Sequence, residues 1–161
     1  MRTILDFCHG LPERSYLAGE TWIAEGAKTD TLTILIDGMV EVVKGDVQVH
    51  VATEPGSVFG EISALLDIPH TATVRTLSAA RAYVVADAGH FLRQQPELTY
   101  YLSKLMAQRL HGMTTYLADM RAQFQDRDDH LGLVDEVLES LMHQQDEEFL
   151  PGSIRHPDPK I

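Results

Sequence analysis

The stretch "FGEISALLDIPHTATV", residues 59–74, gathers the side chains of this sequence best suited to hold a small charged ligand. Gly60 has no side chain, so a ligand can come close to the backbone there. A short helix beginning near Ile62 leaves its first amide hydrogens without intrahelical partners. Such amides suit a phosphate or a similar anion. Glu61 reads two ways from spacing alone. It accepts a hydrogen bond from a ligand hydroxyl, or it stabilises the helix start, where a carboxylate is favoured. Ser63 is placed to cap the helix or bond locally. Thr71 adds a hydroxyl. His70 adds an imidazole, which offers at most two donors and is mostly uncharged near neutral pH.

Other chemistry finds little support. Cys8 is the only cysteine, so neither an intrachain disulfide nor a thiolate metal cluster can form, and Cys8 reads as a buried thiol. The eight histidines are scattered and none sits in a metal pattern such as HExxH. No serine or cysteine occupies a nucleophile motif. The chain therefore reads as non-catalytic, with no required cofactor. Its formal net charge is -11, much of it late, in "DRDDH", "DEVLE" and "DEE". That field repels nucleic-acid phosphates, so no nucleic-acid partner is expected. It does not exclude a small anion, because a few backbone amides set the local potential of a pocket. No apolar run has the length of a membrane span, and "MRTILDFCHG" lacks the core of a signal peptide. A cytoplasmic protein without membrane contact is the expectation.

The elements that must position these residues fall into two kinds. Residues 16–86 carry short β-like runs broken by glycine. "TLTILIDG" is the first strong one, and "MVEVV" and "VQVHV" pair around Lys44-Gly45-Asp46 as a hairpin. Pro55-Gly56 marks a turn, and "TATVRTL" and "ARAYVVA" are two further strands. This spacing predicts a sandwich or barrel-like roll. After Ala86 the period changes. "DAGHFLRQQP" reads as a short helix stopped by Pro96. Glu97 to Phe124 reads as one long helix with a stripe of Met106, Leu110, Met113, Leu117, Met120 and Phe124. "LGLVDEVLESLMHQQDEEF" offers a second amphipathic segment through Val134, Val137, Leu138, Leu141 and Met142. "LPGSIRHPDPKI", with three prolines, reads as a flexible tail.

Two stretches, "AGETWIAEGAKTDTLTILIDGMVEVV" and "EPGSVFGEISALLDIPHTATV", together resemble the cyclic nucleotide-binding domain over roughly Leu11 to Leu117. Gly38, Pro55-Gly56, Phe59-Gly60-Glu61 and Ala72-Thr73-Val74 carry the likeness. The interval from Gly60 to Pro69 matches the family's phosphate-binding cassette without insertion or deletion. The resemblance implies a mainly β fold with added helices, a β-roll (double-stranded β-helix or jelly-roll) followed by a long C-terminal helix. It implies a ligand-binding set of Gly60, Glu61, Ile62, Ser63, His70, Thr71 and Ala72, with Glu61 on a ribose hydroxyl and cAMP or cGMP as the ligand.

The sequence departs from the family at His70, where an arginine usually follows the cassette proline and pairs with the cyclic phosphate. Three readings stand. His70 is a weaker phosphate donor. Alternatively, the pocket takes another ligand or a pH-sensitive form of the old one. In the third, ligand binding is lost and His70 is an ordinary half-exposed residue. Arg75, Lys28, Arg81 and Arg93 do not clearly replace the missing charge. Arg109, His111, Thr114 and Thr115 on the long helix are chemically able to contact a base, but no motif fixes their register.

The resulting expectation is a regulatory module over residues 1–124, an acidic helical extension over 125–150 and a tail over 151–161. The module binds a cyclic nucleotide or related small anion weakly and couples binding to the position of the C-terminal helix. A homodimer through the long helix and a protein partner at the acidic helix accompany this reading. The alternative is a degenerate, ligand-free interaction or dimerisation module. A DNA-binding regulator finds no support, because the residues after Phe124 are acidic and show no basic recognition helix.

Overall fold

In the computed structural model, which describes residues 3–123 and 128–143, a 3-10 turn at Ile4–Phe7 precedes β1 (Glu13–Tyr16) and β2 (Thr21–Ile23). Next come β3 (Leu32–Asp37), β4 (Val40–Lys44), β5 (Val47–Ala52) and β6 (Val58–Phe59). The helix α1 (Glu61–Leu66) follows, then β7 (Thr73–Thr76) and β8 (Ala80–Val85). The chain continues through α2 (Ala88–Gln94), α3 (Pro96–Gln123) and α4 (Asp128–His143). Phe124 and residues 144–161 lie outside the described residues, and so do the ends of the expected acidic extension and all of the expected tail. Two compact units result, Met1–Tyr100 and Tyr101–Ile161, and the division falls inside α3.

The first unit is a roll of two antiparallel four-stranded sheets, ordered β1-β8-β3-β6 and β2-β7-β4-β5. The β-roll followed by a long helix is the architecture that the sequence implies. β3 is buried from Leu32 through Leu35, which is why it reads as a continuous apolar run instead of an alternation. Ile23, Leu35, Val40, Ala52, Phe59 and Val74 form a core between the sheets, with Trp22 and Val42 packed against it. Burying each large aliphatic side chain contributes about 1.5–3 kcal/mol. The β4–β5 hairpin closes through Gly45-Asp46, with Gly45 at φ +59° and Lys44 opposite Val47. Gly38 closes the β3–β4 turn at φ +106°, and a Cβ there would lie 2.5 Å from the Cβ of Ala80. Cys8 is fully buried, its Sγ donates to the Ile4 carbonyl at 3.3 Å, and burial pushes its pKa up to about 11. The thiol is therefore protonated at neutral pH and not a nucleophile.

α2 is fixed at its start by two carboxylates. Asp87 accepts from the His90 amide at 3.3 Å, and Asp30, from the loop before β3, accepts from the Gly89 amide at 3.1 Å. Gln95 leaves the helical region (φ -122°, ψ 71°) because Pro96 follows it, and Pro96 then opens α3. In the second unit Met106, Leu117 and Met120 are half-buried, while Leu110 and Met113 are exposed. Arg121 of α3 pairs with Asp135 of α4 at 2.7 Å. Among the described residues, no helix is long and apolar enough to cross a membrane.

Candidate functional site

The cassette begins where β6 turns into α1. Gly60 takes the left-handed conformation (φ +90°) as the N-cap of α1, which begins at Glu61, one residue before the start expected from sequence. A Cβ on Gly60 would lie 2.4 Å from the Thr31 carbonyl oxygen, 3.4 Å from Ile23 Cδ1 and 3.5 Å from His70 Cε1. The glycine thus makes room for the backbone of the β2–β3 loop as well as for the turn itself. The first intrahelical bond runs from the Ala64 amide to the Gly60 carbonyl at 3.1 Å. The Ile62 and Ser63 amides therefore stand ahead of the helix's own bonding. Glu61 is buried in the first turn, and Ile62 is exposed.

Ser63 is buried and used locally. Its hydroxyl donates to the Ile68 carbonyl, and its own carbonyl accepts from the Ile68 amide at 3.3 Å. These bonds close α1 where Asp67 adopts φ +53°. The chain then turns through Pro69 into His70, Thr71 and Ala72. Thr71 and Ala72 are half-buried, and Thr73 starts β7.

His70 is 4% exposed, so it is not the half-exposed residue of the third reading. Its Nε2 lies 2.6 Å from Thr29 Oγ1 in a hydrogen bond. Its amide donates to the Ala27 carbonyl at 2.9 Å, and its carbonyl accepts from the Gly26 amide at 2.8 Å. The residue therefore joins the cassette to the β2–β3 loop through both backbone and side chain. Burial holds the His70 pKa below its ordinary value of 6.5, so the ring is neutral at physiological pH. A neutral imidazole supplies no charge to an anion.

The other candidate cations are mostly held by carboxylates. Arg75 points to the outer face of its sheet and makes two bonds to Glu41, one of them 2.8 Å from Nε. Glu41 is buried and also accepts from Gln48 at 2.7 Å. The Gln48 and Arg75 bonds hold its carboxyl below the usual range. Lys28 pairs with Asp67 at 3.4 Å, and Arg81 pairs with Glu13 at 2.9 Å and with Asp37. Lys44 differs, and the reading of the sequence missed it. Its Nζ donates to the Thr71 carbonyl at 2.7 Å, within the cassette itself. The signal was the alternation of β4: Val40 and Val42 face the core, and Lys44 is the next residue on that side. Glu25 lies at the limit of an ion pair with Lys44, 4.0 Å away, and its other oxygen accepts from the Gly45 amide at 2.8 Å.

The profile of the cyclic nucleotide-binding domain matches residues 13–93, just over half of the chain. The chain belongs to the cyclic nucleotide-binding domain family. This is a regulatory family rather than a catalytic one, and among the described residues no three His, Cys, Asp or Glu side chains come together to hold a metal ion. A CRP-like cAMP-activated global transcriptional regulator of Mycobacterium tuberculosis is 31% identical over 108 residues. That match covers 63% of this chain and 48% of the regulator, so the chain spans about half the length of the curated relatives it matches. Among solved structures, a PKAR CBD2 with Sp-2Cl-cAMPS bound is similar at TM-score 0.56 and 26% identity, over 71% of this chain and 75% of that one. The N-terminal domain of a transcriptional regulator from Streptomyces coelicolor A3(2) is similar at TM-score 0.51 and 26% identity, over 68% of this chain and 82% of that one. Within the cyclic nucleotide-binding domain, α1 packs against α2.

Proposed function

We propose that this cyclic nucleotide-binding domain is a regulatory module that binds a cyclic nucleotide, or a related small anion, weakly. The observation that carries the reading is the Gly60–Glu61 turn. It leaves the Ile62 and Ser63 amides ahead of the first helical bond, beside a buried carboxylate. The amides suit a phosphate, and Glu61 suits a ribose hydroxyl, with Thr71 and Ala72 completing the edge of the cradle. The relatives activated by or bound to cAMP and its analogue support that ligand class. Weak binding follows from His70. A charge-assisted hydrogen bond contributes roughly 1.5–3 kcal/mol, so a neutral imidazole in the arginine's place costs about ten-fold to a hundred-fold in affinity. Coupling runs from α1 to α2, and it requires the ligand to prefer one arrangement of that pair.

Calorimetric titration of the full chain with cAMP and with cGMP tests this. Saturable heat with a micromolar-to-millimolar dissociation constant is expected. A folded chain with no saturable heat up to millimolar ligand would remove the proposal. The buried, inward-bonded His70 and the exposed Leu110 and Met113 favour a second reading, a ligand-free module that pairs through α3. A chain that binds no nucleotide and stays dimeric across a dilution series matches that reading, whereas a strict monomer rejects it.

A further inference from the structure

We propose that Lys44 supplies the cation for the ligand's acidic group, in place of the arginine that His70 has displaced. The assignment rests on the ligand-binding reading above and names the side chain that grips the anion. Lys44 ends β4 on the face that carries Val40 and Val42 inward, so its stem leaves the core side of the sheet at the mouth of the roll. Its ammonium reaches the cassette one residue beyond His70, 2.7 Å from the Thr71 carbonyl. A carbonyl acceptor orients the ammonium without cancelling its charge. Arg75, Arg81 and Lys28 each point a cation at a nearer carboxylate. Glu25 approaches Lys44 only to 4.0 Å and is engaged by the Gly45 amide as well. The Lys44 side chain is 62% exposed, so an anion arriving from solvent meets it directly.

The geometry also sets the character of the grip. An arginine presents a planar fork that matches two phosphate oxygens, whereas a lysine is a point charge on a flexible stem. An anion at Thr71 therefore gains a full charge and the Thr71 hydroxyl, with loose selection for orientation. Binding should fall with added salt, since a solvent-facing charge is screened.

Calorimetric titration of the full-length protein with cAMP, at low and at high salt, tests the assignment with Lys44→Met and Lys44→Arg beside the wild type. Lys44→Met should bind about ten-fold or more weakly and lose most of its salt dependence, while Lys44→Arg should keep most of the affinity. Lys44 is exposed and outside the core, so both variants should melt close to the wild type. Equal affinity of Lys44→Met and wild type overturns the role of Lys44 and leaves the proposed function standing. Lys44→Arg as weak as Lys44→Met also overturns it, because a role carried by charge must survive that change. A wild type that binds no cAMP overturns both.

Discussion

A Gly60→Ala chain is expected to lose about 3 kcal/mol of folding stability, well into the destabilising tail for a single substitution. Two costs add. At φ +90° a side chain occupies a backbone region that L-residues avoid, at roughly 1–2 kcal/mol. The new Cβ would also sit 2.4 Å from the Thr31 carbonyl oxygen. That oxygen belongs to the backbone leading into the buried strand β3, so relief demands movement of the loop rather than a rotamer change. The same Cβ approaches Ile23 and His70, so any shift is passed to the core and to the cassette together. Urea denaturation of the variant and wild type measures the loss through the shift in midpoint. A loss below about 1 kcal/mol would mean that the turn tolerates a side chain and that Gly60 is not held by this packing.

Replacing His70 should have the second large effect, and pH gives it a signature. His70→Ala removes a buried ring and its bond to Thr29, and should cost about 2 kcal/mol near neutral pH. The folded pKa lies below the ordinary 6.5, so the unfolded chain binds the proton more readily. The contribution of neutral His70 is therefore complete above about pH 6.5 and declines as pH falls from there towards the folded pKa. Glu41 acts in the same direction but in a lower pH window. Its carboxyl is held below 4.5, so its contribution is lost only as pH falls further, through its own folded value. Comparing wild type with His70→Gln from pH 7 down to pH 5 isolates the histidine, because other titrations cancel in the difference. The gap between the two proteins should narrow as the pH drops. A gap that is constant or widens contradicts a buried neutral His70.

The strands nearest the cassette were legible in the sequence for identifiable reasons. β4 and β5 alternate, and Gly45 permits the tight loop between them. β3 reads as one apolar run because it is buried from Leu32 to Leu35. β1 was not legible, because Glu13, Arg14 and Ser15 all face solvent and leave no apolar period. β2 is only three residues long, and its register shifts between Thr21 and Ile23, at Trp22. The spacing from Gly60 to Pro69 matches the family's cassette, yet the neighbour that makes Gly60 necessary, Thr31, lies far back in the chain. His70 repeats the lesson. Its bond to Thr29 spans 41 positions, and the Arg75–Glu41 bond spans 34, so no local pattern announces either. The inward side of Lys44 follows from strand parity alone, as the next residue after Val40 and Val42 on that face of β4.

The turn from Gly60 to Ser63 and the edge from His70 to Ala72 are proposed as a cradle for an anionic nucleotide. Titrating the isotope-labelled full chain with cAMP and following backbone amide resonances tests it most directly. Saturable shifts are expected to concentrate at the amides of Ile62, Ser63, Thr71 and Ala72, with smaller shifts in α2. Unchanged cassette amides up to millimolar cAMP, or saturable shifts confined to residues outside the cassette, would contradict it.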